Sequence, residues 1–315
     1  MKPTCFSRRS GSLLVAALLS ANTAKLIAQK ASDSVVARAK VAIGTFRDSA
    51  SLVKEGFGVI GFGAGVKDLS PFQGQHWIQL PRFLVNPPID IAHPNFMMYL
   101  PIGDSLIPIG VAYTRRVPAG VALPTDLDGV PAEWHSHVFC RNLPGEGSAL
   151  ADGPDDCKAR GGTSAAMQIA MVHTWTVPNP DGPFAHDNPA LPYLATGLKL
   201  PVHVTRDDRL VGLALGETYG AKLPIAHRIE LEAKRSGKAG SLDAPRAKLR
   251  EIALSLKAAE KAGDDKKVVL LRKNAIDEYN KLADVYRALS SSPEIKSRYD
   301  AELDMSLDGM GHHHM

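Results

Sequence analysis

The feature that most constrains this chain is the punctuation between Phe72 and about Val204. Prolines are frequent there and the apolar stretches are short. Proline removes a backbone donor and breaks helix interiors, so a stretch this interrupted is not built from long helices. "HWIQL", "NFMMYLPI", "LIPIGVAYTRRV", "WHSHVFC", "AMQIAMVHTWTV" and "LKLPVHVTR" stand between turn-forming residues, with β-branched or aromatic side chains and partial alternation. They read as strands. The expectation is an α+β chain whose centre is a small antiparallel β-barrel or sandwich core.

The flanks have a different texture. In Ser32 to Glu55, apolar residues recur at three- and four-residue steps (Val35, Val36, Ala39, Ile43, Phe46, Ala50), which predicts an N-terminal helix. The five glycines of "GFGVIGFGAG" (Gly56 to Gly65) end it, and no Gly-Lys-Ser/Thr follows to suggest a phosphate loop. "DDRLVGLALGETYG" has an acidic start and a glycine end and predicts a further helix. Beyond the linker-like "KRSGKAGS", two amphipathic helices joined at "AGDD" predict a helical hairpin, with a last short helix from "SSPEI". The hairpin must bury its seam on itself, on the β core or in a dimer. The expected layout is 1–31 export signal, 32–66 helix and Gly-rich turn, 67–233 β-rich core, 234–305 helical hairpin and 306–315 His/Met tail.

Arg8 and Arg9, followed by the apolar "SLLVAALLSA", form an export signal, either general secretory or twin-arginine. That run is too short to span a bilayer, and no other stretch reaches eighteen apolar residues, so no membrane span is expected in the mature chain. The expected location is periplasmic or secreted. Net charge is +4 with no basic block, which argues against nucleic acid. The 315 residues are enough to bury a core without a metal or disulfide.

Outside the signal, two cysteines remain, Cys140 and Cys157. An even pair in an exported protein reads as a disulfide closing the Gly/Pro/Asp-rich "RNLPGEGSALADGPDD", here read as a loop. The alternative is a pair of thiolate metal ligands.

The histidines are the candidate chemistry. In a strand, side chains at i and i+2 share one face, so His135 and His137 point the same way, as do His173 and Trp175. His76 lies on a third strand. Imidazoles converging from several strands could hold copper or zinc; the alternative is a set of hydrogen-bonded core groups. Glu133 shares the face of His135 and could be a fourth ligand, an acceptor that orients one, or a general base. Trp77, Trp134, Trp175 and Phe139 are expected to surround the site. His186, in the turn-rich "NPDGPFAHDNPALP", either caps the site or faces water, with water favoured. The tail "DGMGHHHM" is a second place where a metal could bind, or an incidental His run.

His-x-His with a distant histidine loosely resembles the cupin pattern. The later glutamate, Glu146, falls in the Cys-bounded loop, and the histidine of "PDGPFAH" is one residue late for the second cupin motif. "GQHW", "WHSHVFC", "CKARGG" and "MVHTWTVPNPDGPFAHDNPALP" together resemble a family of uncharacterised exported bacterial proteins with W-H-x-H, a cysteine pair and H-x-W…N-P-x-G-x-F-A…N-P motifs. The resemblance covers roughly His76 to Pro192. It implies that His76, His135, His137 and His173 are the family's motif histidines and brings no established activity. Three readings follow: a copper- or zinc-binding exported protein, a metalloenzyme acting on a small organic substrate, or an interaction module whose histidines are structural.

Overall fold

A computed structural model describes residues 29–46, 48–60, 69–143, 147–151, 153–159 and 161–309. Most of the expected export signal and the end of the His/Met tail lie outside them, as does Glu146.

The expected single N-terminal helix is two. α1 runs over 29–44 and α2 over Ser49–Lys54. Asp48 restarts the helix: its side chain accepts the Ser51 N–H at 2.8 Å, the N-cap arrangement. Among the described residues nine strands follow: β1 (Phe57–Val59), β2 (Gln75–Gln79), β3 (Phe96–Ile102), β4 (Ser105–Pro118), β5 (Asp126–Leu127), β6 (Val130–Pro131), β7 (His135–Leu143), β8 (Gly147–Ala151) and β9 (Thr163–Trp175). Short helices α3 (Leu80–Val85) and α4 (Pro154–Ala159) interrupt them.

Seven of the strands form one curled antiparallel sheet, a half-barrel, in the order β1-β2-β3-β4-β9-β7-β8; β5 and β6 pair separately. The β-rich core is therefore as expected in its coarse form. Alternation sorts the sheet into two faces. Trp77, Met97, Tyr99, Val111, Tyr113, Ala170 and Val172 take one face and bury Val35, Ala39 and Ile43 of α1 and Leu52 of α2. Phe96, Met98, Ala112, Met171 and Trp175 take the other, packed with Leu191. The histidines lie on this second face.

Two segments differ from expectation. The Cys-bounded stretch is not all loop: β8 pairs with β7, and α4 follows. The disulfide itself is present between Cys140 and Cys157, with Cα atoms 5.5 Å apart. "LKLPVHVTR" is not a strand; residues 198–204 are irregular. Thr205 and Asp208 form a capping box there, so the segment leads into a helix instead.

The C-terminal half is helical: α5 (Leu191–Thr196), α6 (Arg206–Tyr219), α7 (Pro224–Arg235), α8 (Asp243–Ala262), α9 (Asp265–Leu289) and α10 (Pro293–Asp308). The α8–α9 hairpin turns at Gly263, which adopts φ 69°, the left-handed conformation that favours glycine at a helix end. Its seam is buried within the chain. Leu249, Ile252, Tyr279, Leu282 and Tyr286 pack with Leu213 of α6, Ile229 of α7 and Tyr299 and Leu303 of α10. Phe72, just before β2, joins this cluster and ties the bundle to the sheet. Among the described residues no helix is long and apolar enough to cross a membrane.

Candidate functional site

β2 and β9 are separated by β3 and β4. In a flat sheet that is three strand spacings, about 14 Å. Yet the Nε2 atoms of His76 and His173 stand 3.4 Å apart. Two things allow this. The sheet is curled rather than flat. The residues bridging β2 and β9 on that face include Gly110 and Ala112, which add almost no bulk: Ala112 pairs with His173 and Gly110 with Trp175. Gly110 has a strict reason to be glycine, since a Cβ there would lie 2.7 Å from the Thr174 carbonyl oxygen.

β7 pairs with β9 on its other side and brings the His-x-His pair. His135 stands opposite Met171, two residues from His173 along the same face. The His135 ring centroid is 4.9 Å from that of His173 and 5.0 Å from that of His137. All four histidines expected at the site are thus brought together. His76, His135 and His173 are buried and His137 half-buried.

A fifth histidine joins them. His186 is only 3% exposed, which overturns the expectation that it faces water. Its ring centroid is 4.2 Å from that of His135, edge to face, and it stacks on His173 at 5.5 Å. Its loop is laced down by donors on β9 and within the loop. Trp175 Nε1 donates to the Ala185 carbonyl at 2.7 Å, and Asn179 Nδ2 to that of Asp187 at 2.8 Å. His173 Nδ1 donates to the His186 carbonyl at 2.6 Å. The missed signal was the H-x-W pair itself, two ring N–H donors on one strand face followed by a turn rich in acceptors.

Those contacts fix the chemistry of His173. Its Nδ1 carries the proton, so Nε2 presents its lone pair toward His76. Burial, then the neighbouring His76 and His186, push its pKa well below the usual imidazole value, so the ring is neutral at pH 7. Two lone pairs do not face each other at this distance: either His76 donates a proton across the gap or a cation stands between them. Two nitrogens on one tetrahedral ion at about 2.0–2.1 Å would be about 3.3–3.4 Å apart, which this separation fits. Among the described residues, no group of three or more His, Cys, Asp or Glu side chains is disposed to hold a metal ion as the side chains stand. His135 meets His137, His173 and His186 edge to face while His186 stacks on His173, and bringing a third nitrogen to the His76–His173 pair requires a ring to turn.

Glu133 lies just before β7, where its Oε2 accepts the His186 N–H at 3.4 Å. That contact ties Glu133 to the His186 loop. Asp187 Oδ1 is 3.0 Å from His186 Nδ1 and also accepts from Gln73 Nε2 at 2.9 Å. Glu133 and Asp187 line an open polar cleft of about 520 Å³, together with Arg206 and Arg209 of α6 and Asp308 at the end of α10. The cleft therefore lies one residue away from the histidine cluster.

The expected aromatic surround is reduced to one member. Trp175 flanks His173 at 5.5 Å between centroids. Trp77 and Trp134 belong to the opposite face of the sheet, and Phe139 is exposed. Trp77 follows His76 directly, and alternation sends neighbours to opposite faces. The cysteines are excluded as ligands because they are joined to each other.

No family model, no curated protein and no solved structure matches this chain.

Proposed function

We propose that the chain is an exported metal-binding protein that holds copper or zinc at His76 and His173, with His135, His137 and His186 in reach as further ligands. The observation that carries the reading is the 3.4 Å between the two Nε2 atoms, from strands that a flat sheet would keep far apart. The hydrogen bond from His173 Nδ1 to a backbone carbonyl supports it, because that contact fixes ring and tautomer as it does for metal-bound imidazoles. Export to the periplasm or beyond is supported by the Arg-Arg and apolar run at the N-terminus and by the disulfide. The same reading keeps the core loosely cupin-like: His-x-His on one strand and distant histidines on others share one face of a curled sheet. It also keeps the likeness to the exported family with W-H-x-H and H-x-W motifs.

Such an ion would act at this site as a Lewis acid or as bound cargo. The protein's part is to fix imidazoles in an enclosed apolar setting. A metalloenzyme is the second reading, favoured by the 520 Å³ cleft beside the cluster, where Glu133 could serve a proton transfer.

Titration of the purified protein with copper and zinc tests the reading. Each ion should raise the melting temperature of the unaltered chain, and His173→Ala should bind at least tenfold more weakly while staying folded by circular dichroism. If His173→Ala and His135→Ala only lower the melting temperature and leave metal affinity untouched, the histidines are core groups and the proposal fails.

A further inference from the structure

Resting on that metal site, we propose that its ion is copper, accepted in the monovalent state, with Met98 and Met171 as thioether donors. The register places both methionines among the histidines. Met98 is directly opposite His76 on the neighbouring strand, and Met171 is directly opposite His135. Directly opposed residues of an antiparallel pair point to the same face with Cβ atoms about 4.5–5.5 Å apart. Both methionines are buried, Met98 completely, in the cluster that includes Trp175 beside His173. Methionine has three rotatable bonds and an unbranched chain, so a sulfur that starts this close can swing to an ion without backbone movement.

The ligand chemistry then selects. Carboxylates suit hard ions, imidazole suits zinc and copper alike, and thioether sulfur selects monovalent copper. Glu133 Oε2 accepts the His186 N–H, Asp187 Oδ1 lies beside the His186 ring, and both cysteines are in the disulfide. The donors that the paired strands themselves bring to the histidine face are imidazole nitrogen and thioether sulfur. Met97 is the internal comparison. It is adjacent in sequence and equally buried, but it belongs to the opposite face, packed with Tyr99 and Tyr113.

The test is monovalent copper affinity by anaerobic competition with bicinchoninate, on the full chain and on Met97→Leu, Met98→Leu, Met171→Leu and the Met98/Met171 double variant. Methionine to leucine conserves volume and is tolerated in cores. The double variant should lose at least tenfold in monovalent copper affinity, with zinc affinity within twofold of the parent and Met97→Leu unchanged. X-ray absorption on the unaltered copper-loaded protein should show a sulfur scatterer, which keeps the test independent of variant folding. Unchanged copper affinity in the double variant, or a nitrogen-only copper shell, overturns this inference and leaves the histidine site standing. A chain that binds neither copper nor zinc removes both.

Discussion

His173 donates its Nδ1 proton to the backbone carbonyl of His186, and His186 in turn stacks on the His173 ring. One strand residue thus anchors the loop that covers it and is left with a single aimed lone pair. The geometry of the cluster depends on how closely three strands and this loop approach.

Gly110 is where that approach is tightest. Gly110→Ala would press a methyl against the Thr174 carbonyl oxygen, which belongs to the backbone and cannot swing aside. The expected cost is about 1–3 kcal/mol in chemical denaturation, the usual range for overpacking. Because β4 would be levered from β9, metal affinity should fall as well. A fully stable variant would show that the close approach is not needed.

The disulfide should matter more to stability than to the site. It closes a sequence separation of 17 residues and joins β7 to α4. Chain entropy puts its contribution at about 3 kcal/mol. Replacing both cysteines with serine should lower the urea midpoint accordingly, with metal affinity kept, since His135 and His137 lie at the far end of β7. Loss of metal binding at full stability would instead argue that the sulfurs serve the ion.

The bundle carries its own acid sensitivity. Burial first, then the Lys222 ammonium, push His227 on α7 down to about 4 from an ordinary 6.5. The unfolded chain therefore takes up the proton first as pH falls. Stability from the neutral ring is whole above about pH 6.5 and drains away as pH falls toward 4, by at most about 3 kcal/mol. His227→Gln should flatten the melting temperature across that window. An unchanged slope in the variant would place the acid sensitivity elsewhere.

How much of this was legible in the sequence follows from how local each signal was. The i, i+2 rule put His135 with His137, and His173 with Trp175, and both pairs hold because one strand decides them. The hairpin of α8 and α9 was equally local. The same alternation puts Trp77 opposite to His76, although their adjacency in sequence suggested shared surroundings. His186 could not be read from its own neighbours. A Pro/Gly/Asp turn reads as solvent-facing, and its burial comes from Trp175, His173 and Gln73, up to 113 residues away. α7 went unseen although Pro224 opens it and Ile225, Ala226, Ile229 and Ala233 make its buried stripe. "LKLPVHVTR" had the alternation of a strand, but no sheet edge takes it up. Pairing partners are a tertiary fact that periodicity does not contain.

The most direct test of the proposed metal site is elemental analysis of the protein purified without added metal, beside the His76/His173 double alanine variant. Stoichiometric copper or zinc is expected in the parent, and its loss in the folded variant. A parent that emerges free of both metals, and whose melting temperature neither ion raises, would contradict it.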